Sequence, residues 1–289
     1  MSKLTDQISA NPANAALHRQ LGDAFALKGR WVPAIAEYRT ALALAGPNVS
    51  DDAKVRELIG VCAAASASER APDTIPHNVY SRTQWLARHI RERFPTGRFS
   101  LLDAGGGDGR LAMDLPDADY VLAEPGTNGI FVTADLSLGR SFDCVVCCHV
   151  VEHIPFELRD AFLDVLCGMA TERVLLLGPT VDAHTDLRAW QQLIFDVTGA
   201  NWAKEHIDCQ MPTLDELTSY CDRRGFTYTL KPNGSKALSL AMVFFDFYAK
   251  QGRPEDVARI NTMFNALPLD GLDNTDWPNA WLIDIDTRR

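Results

Sequence analysis

Five residues in the run LLDAGGGDG, residues 101–109, are placed to do chemistry on a bound ligand: Asp103, then Gly105, Gly106, Gly107 and Gly109. A strand that ends in a carboxylate and hands the chain to bare glycines lets the backbone approach a ligand closely. A dinucleotide site wants G-x-G-x-x-G, with the last glycine letting helix pack on strand. From Gly105 that last position is Arg110, whose bulk opposes the packing, so hydride chemistry on a nicotinamide fits poorly. The spelling is instead acidic-x-G-x-G-x-G. Glu124 ends the next apolar run, 21 residues after Asp103, near the spacing at which a carboxylate takes ribose hydroxyls.

A second group of reactive side chains lies downstream. His149, Glu152 and His153 follow the apolar run FDCVVCC, and Glu205-His206 are expected in a loop before a helix that opens at Thr213. Imidazole titrates near neutral pH and suits a general base, which makes His153, His206 and His149 the candidate catalytic groups. The alternative is that Glu152 and His153 only orient their loop. His149-Val-Val-Glu152-His153 also reads H-x-x-E-H, a metal-site spelling when it lies on a helix. Here it follows a strand, and no resident metal is expected, although His149, Glu152, His153 and His206 would make a physically sound ligand set. Cys144 and Cys147 form a C-x-x-C inside a strand, where residues three apart face opposite sides. They read as buried small hydrophobes.

The elements that must hold these groups alternate along the chain. Apolar runs FSLLDA, DYVLAE, GIFVTA, FDCVVCC, RVLLLG, FTYTL and WLIDI read as strands, and the segments between them as helices, which predicts an α/β sheet covered on both faces. Helices are expected over Tyr80–Phe94, from Arg110, over about Pro155–Ala170, from the capping box at Thr213 to Gly225, and over residues 236–266.

The glycine loop with Asp103 ahead of it resembles the first motif of class I S-adenosylmethionine-dependent methyltransferases. Glu124, Asp135 after GIFVTA, and SFDCVVCCHVVEHIP at residues 141–155 fall into register with that family. The resemblance covers about residues 78–289. It implies a seven-stranded, mostly parallel, doubly wound Rossmann-like sheet with an antiparallel last strand and a helical lid between strands 5 and 7. S-adenosylmethionine is then the cofactor, with Asp103, Gly105, Gly107, Gly109, Glu124, Asp135 and His149 around it. Glu205-His206 with Pro212 resembles an E-H-x-x-x-x-x-P stretch of chains that accompany bacterial surface-glycan and secondary-metabolite synthesis. That implies O-methylation of a sugar or other small hydroxylated acceptor. Two alternatives stay open: a non-catalytic adaptor on a degenerate methyltransferase fold, and a protein or RNA methyltransferase recruited through its helical extension.

That extension is residues 1–70, with the methyltransferase domain expected over 71–289 after the linker ERAPDTIPHN. Leu21, Gly22, Phe25, Ala34, Tyr38, Ala41 and Pro47 resemble one tetratricopeptide unit. One unit alone does not make a solenoid, so the region is either a docking module, for a protein partner or a second copy, or a cap on the main domain. With 289 residues, 46% hydrophobic and 23% charged, the chain has the make-up of a globular protein. Lys and Arg number 28 against 38 Asp and Glu, a net charge of −10, so nucleic acid is not favoured as a partner. The stretch Arg82 to Arg98 is the one basic segment. No apolar run approaches a membrane span and the seven cysteines read as reduced thiols, so a cytoplasmic protein with no membrane contact is expected.

Overall fold

The computed structural model describes residues 2–46, 52–95, 97–181, 187–269 and 276–288. Pro47 lies outside them. The chain opens with helices α1 (Ser2–Ala10), α2 (Ala15–Ala26), α3 (Trp31–Ala45), α4 (Asp52–Ala65) and the single turn α5 (Ala67–Arg70), then α6 (His77–Arg93) leads into β1 (Ser100–Ala104). Next come α7 (Leu111–Asp114), β2 (Asp119–Ala123), α8 (Pro125–Asn128), β3 (Phe142–Cys148), a 3-10 turn (Val151–His153), α9 (Arg159–Met169) and β4 (Ala170–Gly178). The rest is α10 (Leu187–Thr198), α11 (Asn201–Asp208), α12 (Leu214–Arg224), β5 (Thr227–Asn233), α13 (Lys236–Gly252), α14 (Pro254–Asn265) and β6 (Ala280–Asp286).

The strands form one six-stranded sheet in the order β2-β1-β3-β4-β6-β5. β1 pairs in parallel with both β2 and β3, β3 with β4, and β6 runs antiparallel to β4 and β5. Strand side chains alternate between two cores, as a sheet covered on both faces requires. Leu102, Val121, Val145 and Cys147 pack with α2, α3, α9 and α12, while Leu101, Tyr120, Cys144 and Val146 pack with Trp85, Leu86 and Ile90 of α6. Cys144 and Cys147 therefore do face opposite ways.

Among the described residues six strands form where seven were expected, because GIFVTA is not a strand. The edge of β2 that it would have paired with is already occupied. The Thr40 hydroxyl of α3 accepts from Leu122 N at 3.0 Å, and Asn128 Nδ2 donates to Leu122 O at 2.9 Å. α3 is buried nearly all round, the signature of a core helix and not of a surface repeat. Its Ala36 belongs to one core and its Ile35 and Tyr38 to the other. Arg39 reaches out of it to the carbonyls of Ala112, Leu115 and Ala118, closing the one-turn helix α7. The helices before residue 70 thus cover an edge that an exposed strand would otherwise leave open.

Local signals behave as their chemistry dictates. Thr213 Oγ1 accepts from Glu216 N at 3.0 Å and Gly225 closes α12 at φ +72°. The expected helix over 236–266 is two, α13 and α14, since Pro254 starts a new helix and cannot continue the old one.

Candidate active site

Strand order reverses between β1 and β3: the chain leaves β1 for β2 on one side and returns to β3 on the other. In an open α/β sheet the crevice beyond the carboxyl ends of two such strands is where ligands sit. The loop after β1 carries the glycines, and the loop after β3 carries His149 to His153.

Gly105 has φ +79° and Gly107 has φ +58°, conformations that side chains rarely adopt. Gly105 N donates to Ala123 O at 2.8 Å, which folds the loop over the end of β2. A Cβ on Gly105 would stand 2.2 Å from Val150 Cγ2, whereas one on Gly107 would meet nothing within 4 Å. Gly105 is closed off by the neighbouring loop, and Gly107 borders open space. Beneath them Asp103 is 1% exposed. The Tyr120 hydroxyl donates to its Oδ2 at 2.7 Å, and Oδ1 has no hydrogen-bond partner. Burial pushes the Asp103 carboxyl up to about 7, against the Tyr120 hydrogen bond and aided by the Glu124 charge.

Glu124 caps α8, accepting from Gly126 N at 2.9 Å through Oε1 and from Gly107 N at 3.0 Å through Oε2. Thr127 Oγ1 donates to Gly107 O at 2.8 Å. Asp103, Gly105, Gly107 and Glu124 are thus brought together. Gly109 faces α3 instead, where a Cβ would stand 2.4 Å from that of Ala36. Asp135 sits exposed in the segment that forms no strand, where the Thr133 hydroxyl donates to it at 2.7 Å and lowers its pKa.

Across the crevice His149 takes φ +58° without being glycine, a conformation that costs about 1–3 kcal/mol and that the surroundings must enforce. Its N–H donates to Leu177 O at 2.7 Å, and Val150 beside it presses on Gly105. Burial, and then the Arg82 charge, lower the His149 pKa. The 3-10 turn carries Glu152 inward to 1% exposure. His149 Nδ1 stands 3.2 Å from Glu152 Oε1 without hydrogen-bond alignment, and neither Glu152 oxygen has a hydrogen-bond partner. Burial raises the Glu152 pKa, but the adjacent His149 ring, and His206 more weakly, outweigh it, and the net shift is downward.

Glu205 and His206 lie on α11, not in the expected loop. Ala203 and His206 face inward one turn apart, so the segment has the amphipathic spacing of a helix. His153 Nδ1 is 2.9 Å from Glu205 Oε2, and His153 Nε2 is 3.3 Å from His206 Nε2. His206 is lowered to about 4, chiefly by burial, with Glu152 acting against that. His149, Glu152, His153 and His206 all line one cavity of ≈ 430 Å³, walled by α6, α10, α11 and α13.

A sequence model of the family described as a methyltransferase domain matches residues 69–231, more than half of the chain. The chain belongs to this methyltransferase family. Solved structures resemble the methyltransferase at low identity. Magnesium protoporphyrin IX methyltransferase from Synechocystis, with bound SAH, is 14% identical, with 73% of this chain and 83% of that chain covered at a TM-score of 0.44. The plantazolicin methyltransferase BpumL, with a pentazolic desmethylPZN analog and SAH, is 12% identical, with 89% and 98% covered at 0.45. A cyclopropane-fatty-acyl-phospholipid synthase-like protein from Lactobacillus casei is 14% identical, with 72% and 92% covered at 0.41. No curated protein matches the sequence.

Several groups of this methyltransferase escape sequence reasoning. Tyr120, the partner of Asp103, looks in sequence like any strand aromatic. Glu37 and Asn128 join α3 to the turn after β2 that carries Glu124: Asn128 Nδ2 donates to Glu37 Oε1 at 2.9 Å, and Asn128 Oδ1 accepts from Glu124 N at 3.0 Å. No local pattern marks a pair 91 residues apart. In the basic segment, Arg91 donates to Asp114 O and Arg93 to Asp284, so those two serve the fold, while Arg82 lines the cavity. Among the aromatics of α13, Phe245 and Tyr248 are exposed, neither core nor cavity wall. Among the described residues no helix is long and apolar enough to cross a membrane.

Proposed function

We propose that this methyltransferase moves a methyl group from S-adenosylmethionine to a hydroxyl oxygen of a sugar or another small hydroxylated acceptor held in the cavity. The observation that carries this reading is the seam between the two loops: Val150 packs on Gly105, and the adjacent His149 lines the cavity. Donor and acceptor sites so joined meet the need of an in-line transfer, in which positioning and exclusion of water supply much of the rate.

The residues fit the donor. Asp103 keeps an unpartnered carboxylate oxygen under the loop, which suits a positively charged ligand. The space above Gly107 leaves room for the methionyl and ribose parts. Glu124 is the acceptor for ribose hydroxyls, and Asp135 the group for the adenine amine. S-adenosylmethionine supplies a methyl on a sulfonium, a leaving group that needs no activation. The chain's task is therefore to orient the acceptor and take its proton. His149, His153 and His206 are the imidazoles at hand, with Glu205 fixing the His153 ring.

We read residues 1–70, with their tetratricopeptide-like spacing, as a cap that completes the sheet edge, since α3 already spends its faces on β2 and both cores. The test is transfer of label from methyl-labelled donor to a panel of small sugars and phenols. Label in a small acceptor, lowered about 10²–10⁴-fold by His153→Ala with SAH affinity unchanged, supports the reading. Label only in protein or RNA overturns the acceptor class.

A further inference from the structure

Glu152 is a buried carboxylate that makes no aligned hydrogen bond, with His149 Nδ1 3.2 Å from Oε1 as its close ion-pair contact. It is 1% exposed, and neither oxygen accepts a hydrogen bond. Buried ionised groups are paired or coordinate metals, because an unpaired one is costly. Among the described residues no Lys or Arg side chain pairs with it, and His149 Nδ1 at 3.2 Å is out of line. Facing it as well are the imidazoles of His153 and His206: one ligand atom from each of the three residues lies within 4.8 Å of the others.

The spacing of the two rings has its own meaning. His153 Nε2 and His206 Nε2 stand 3.3 Å apart. Two nitrogens each about 2.05 Å from one tetrahedral ion are separated by about 3.3 Å. The His153 ring is also held from behind, with Glu205 Oε2 at 2.9 Å from Nδ1. A carboxylate accepting from Nδ1–H leaves the Nε2 lone pair bare and aimed at His206. Metal-ligating histidines are oriented by just such carboxylates.

We propose that Glu152, His153 and His206 bind one divalent transition-metal ion at the wall of the cavity. Two imidazoles and one carboxylate select zinc, iron(II) or cobalt(II) over magnesium and calcium, which prefer all-oxygen sites. Three protein ligands leave at least one coordination position open, and all three residues line the cavity, so the open position is available to an acceptor oxygen. This role towards the acceptor rests on the methyltransferase reading and leaves His149 to take the acceptor's proton, since both ring nitrogens of His153 are then committed; the binding of the ion does not rest on it. The site departs from the sequence expectation, which saw His149, Glu152, His153 and His206 as a sound ligand set but expected no resident metal and placed His206 in a loop.

The experiment is titration of chelator-stripped protein with cobalt(II), followed by its visible ligand-field bands, with SAH binding measured on the same samples. One equivalent is expected to bind the native protein. Glu152→Gln and His206→Ala are expected to abolish the bands, and Glu205→Gln to weaken binding about 10–100-fold. Glu205 is largely exposed, so that variant reads the site without disturbing the core. No bands in native protein that still binds SAH overturns the proposal, as do bands unchanged by Glu152→Gln, His206→Ala and Glu205→Gln. Cobalt bound through these residues in a protein that ignores SAH leaves the metal site standing and removes the methyltransferase reading.

Discussion

Val150 Cγ2 lies where a side chain on Gly105 would have to begin, 2.2 Å from the position of a Cβ. This contact joins the loop after β1 to the loop after β3, and it forbids any residue but glycine at position 105.

Gly105→Ala is therefore expected to destabilise the fold by about 1–3 kcal/mol, from the positive φ together with the clash. Val150→Ala added to it returns part of the loss, because only the clash is relieved. Urea unfolding of Gly105→Ala, Val150→Ala and the double variant checks this, and additive losses would show that the two loops do not meet.

Asp103 titrates at about 7 in the fold, raised chiefly by burial, against an ordinary value of 3.8. Between these values the folded state holds a proton that the unfolded chain has released. Stability is then lost as pH rises from about 4 to about 7, by at most about 1.4 kcal/mol per pH unit, with no further loss above. Asp103→Asn flattens that slope. A cationic donor favours the ionised form, so SAM affinity in native protein is expected to rise with pH through 7, and less so in the variant. Calorimetry at pH 5.5, 7 and 8.5, on the order of one unit either side of the transition, reads both.

Glu37 and Asn128 tie α3 to Glu124, so Asn128→Ala is expected to lower stability by about 1–3 kcal/mol through the buried groups left unpaired. SAH affinity falls with it, although Asn128 is a positioning residue behind Glu124. Unchanged SAH affinity in the folded variant would separate the helices from the donor site.

Residues 71–289 alone lose Thr40 from the β2 edge and Arg39 from the carbonyls that follow α7. The fragment is expected to aggregate or to melt without a cooperative transition. A folded fragment with native SAH affinity would make residues 1–70 a docking module.

Most of the sheet was legible because strands buried on both faces read as short apolar runs, and because glycines with an acidic residue 21 positions on announce one crevice. GIFVTA misled since its apolar residues are not spent on β2: Ile130 is buried, Phe131 is exposed, and Gly129 lies against Thr5 O of α1. Glu205 and His206 were legible as chemistry but not as helix, the eight-residue α11 having no side-chain cap to mark its start. The approach of His206 to His153 across 53 positions is a product of packing, and no local spacing encodes it.

Calorimetric titration of cofactor-stripped protein with SAH tests the central claim most directly, with NAD and a folded Gly107→Arg variant as controls. Gly107 borders open space, so an arginine there fills the crevice without displacing the core. Micromolar SAH binding, lost in Gly107→Arg and absent for NAD, is the predicted result. Folded protein that gives no heat with SAH would contradict the account.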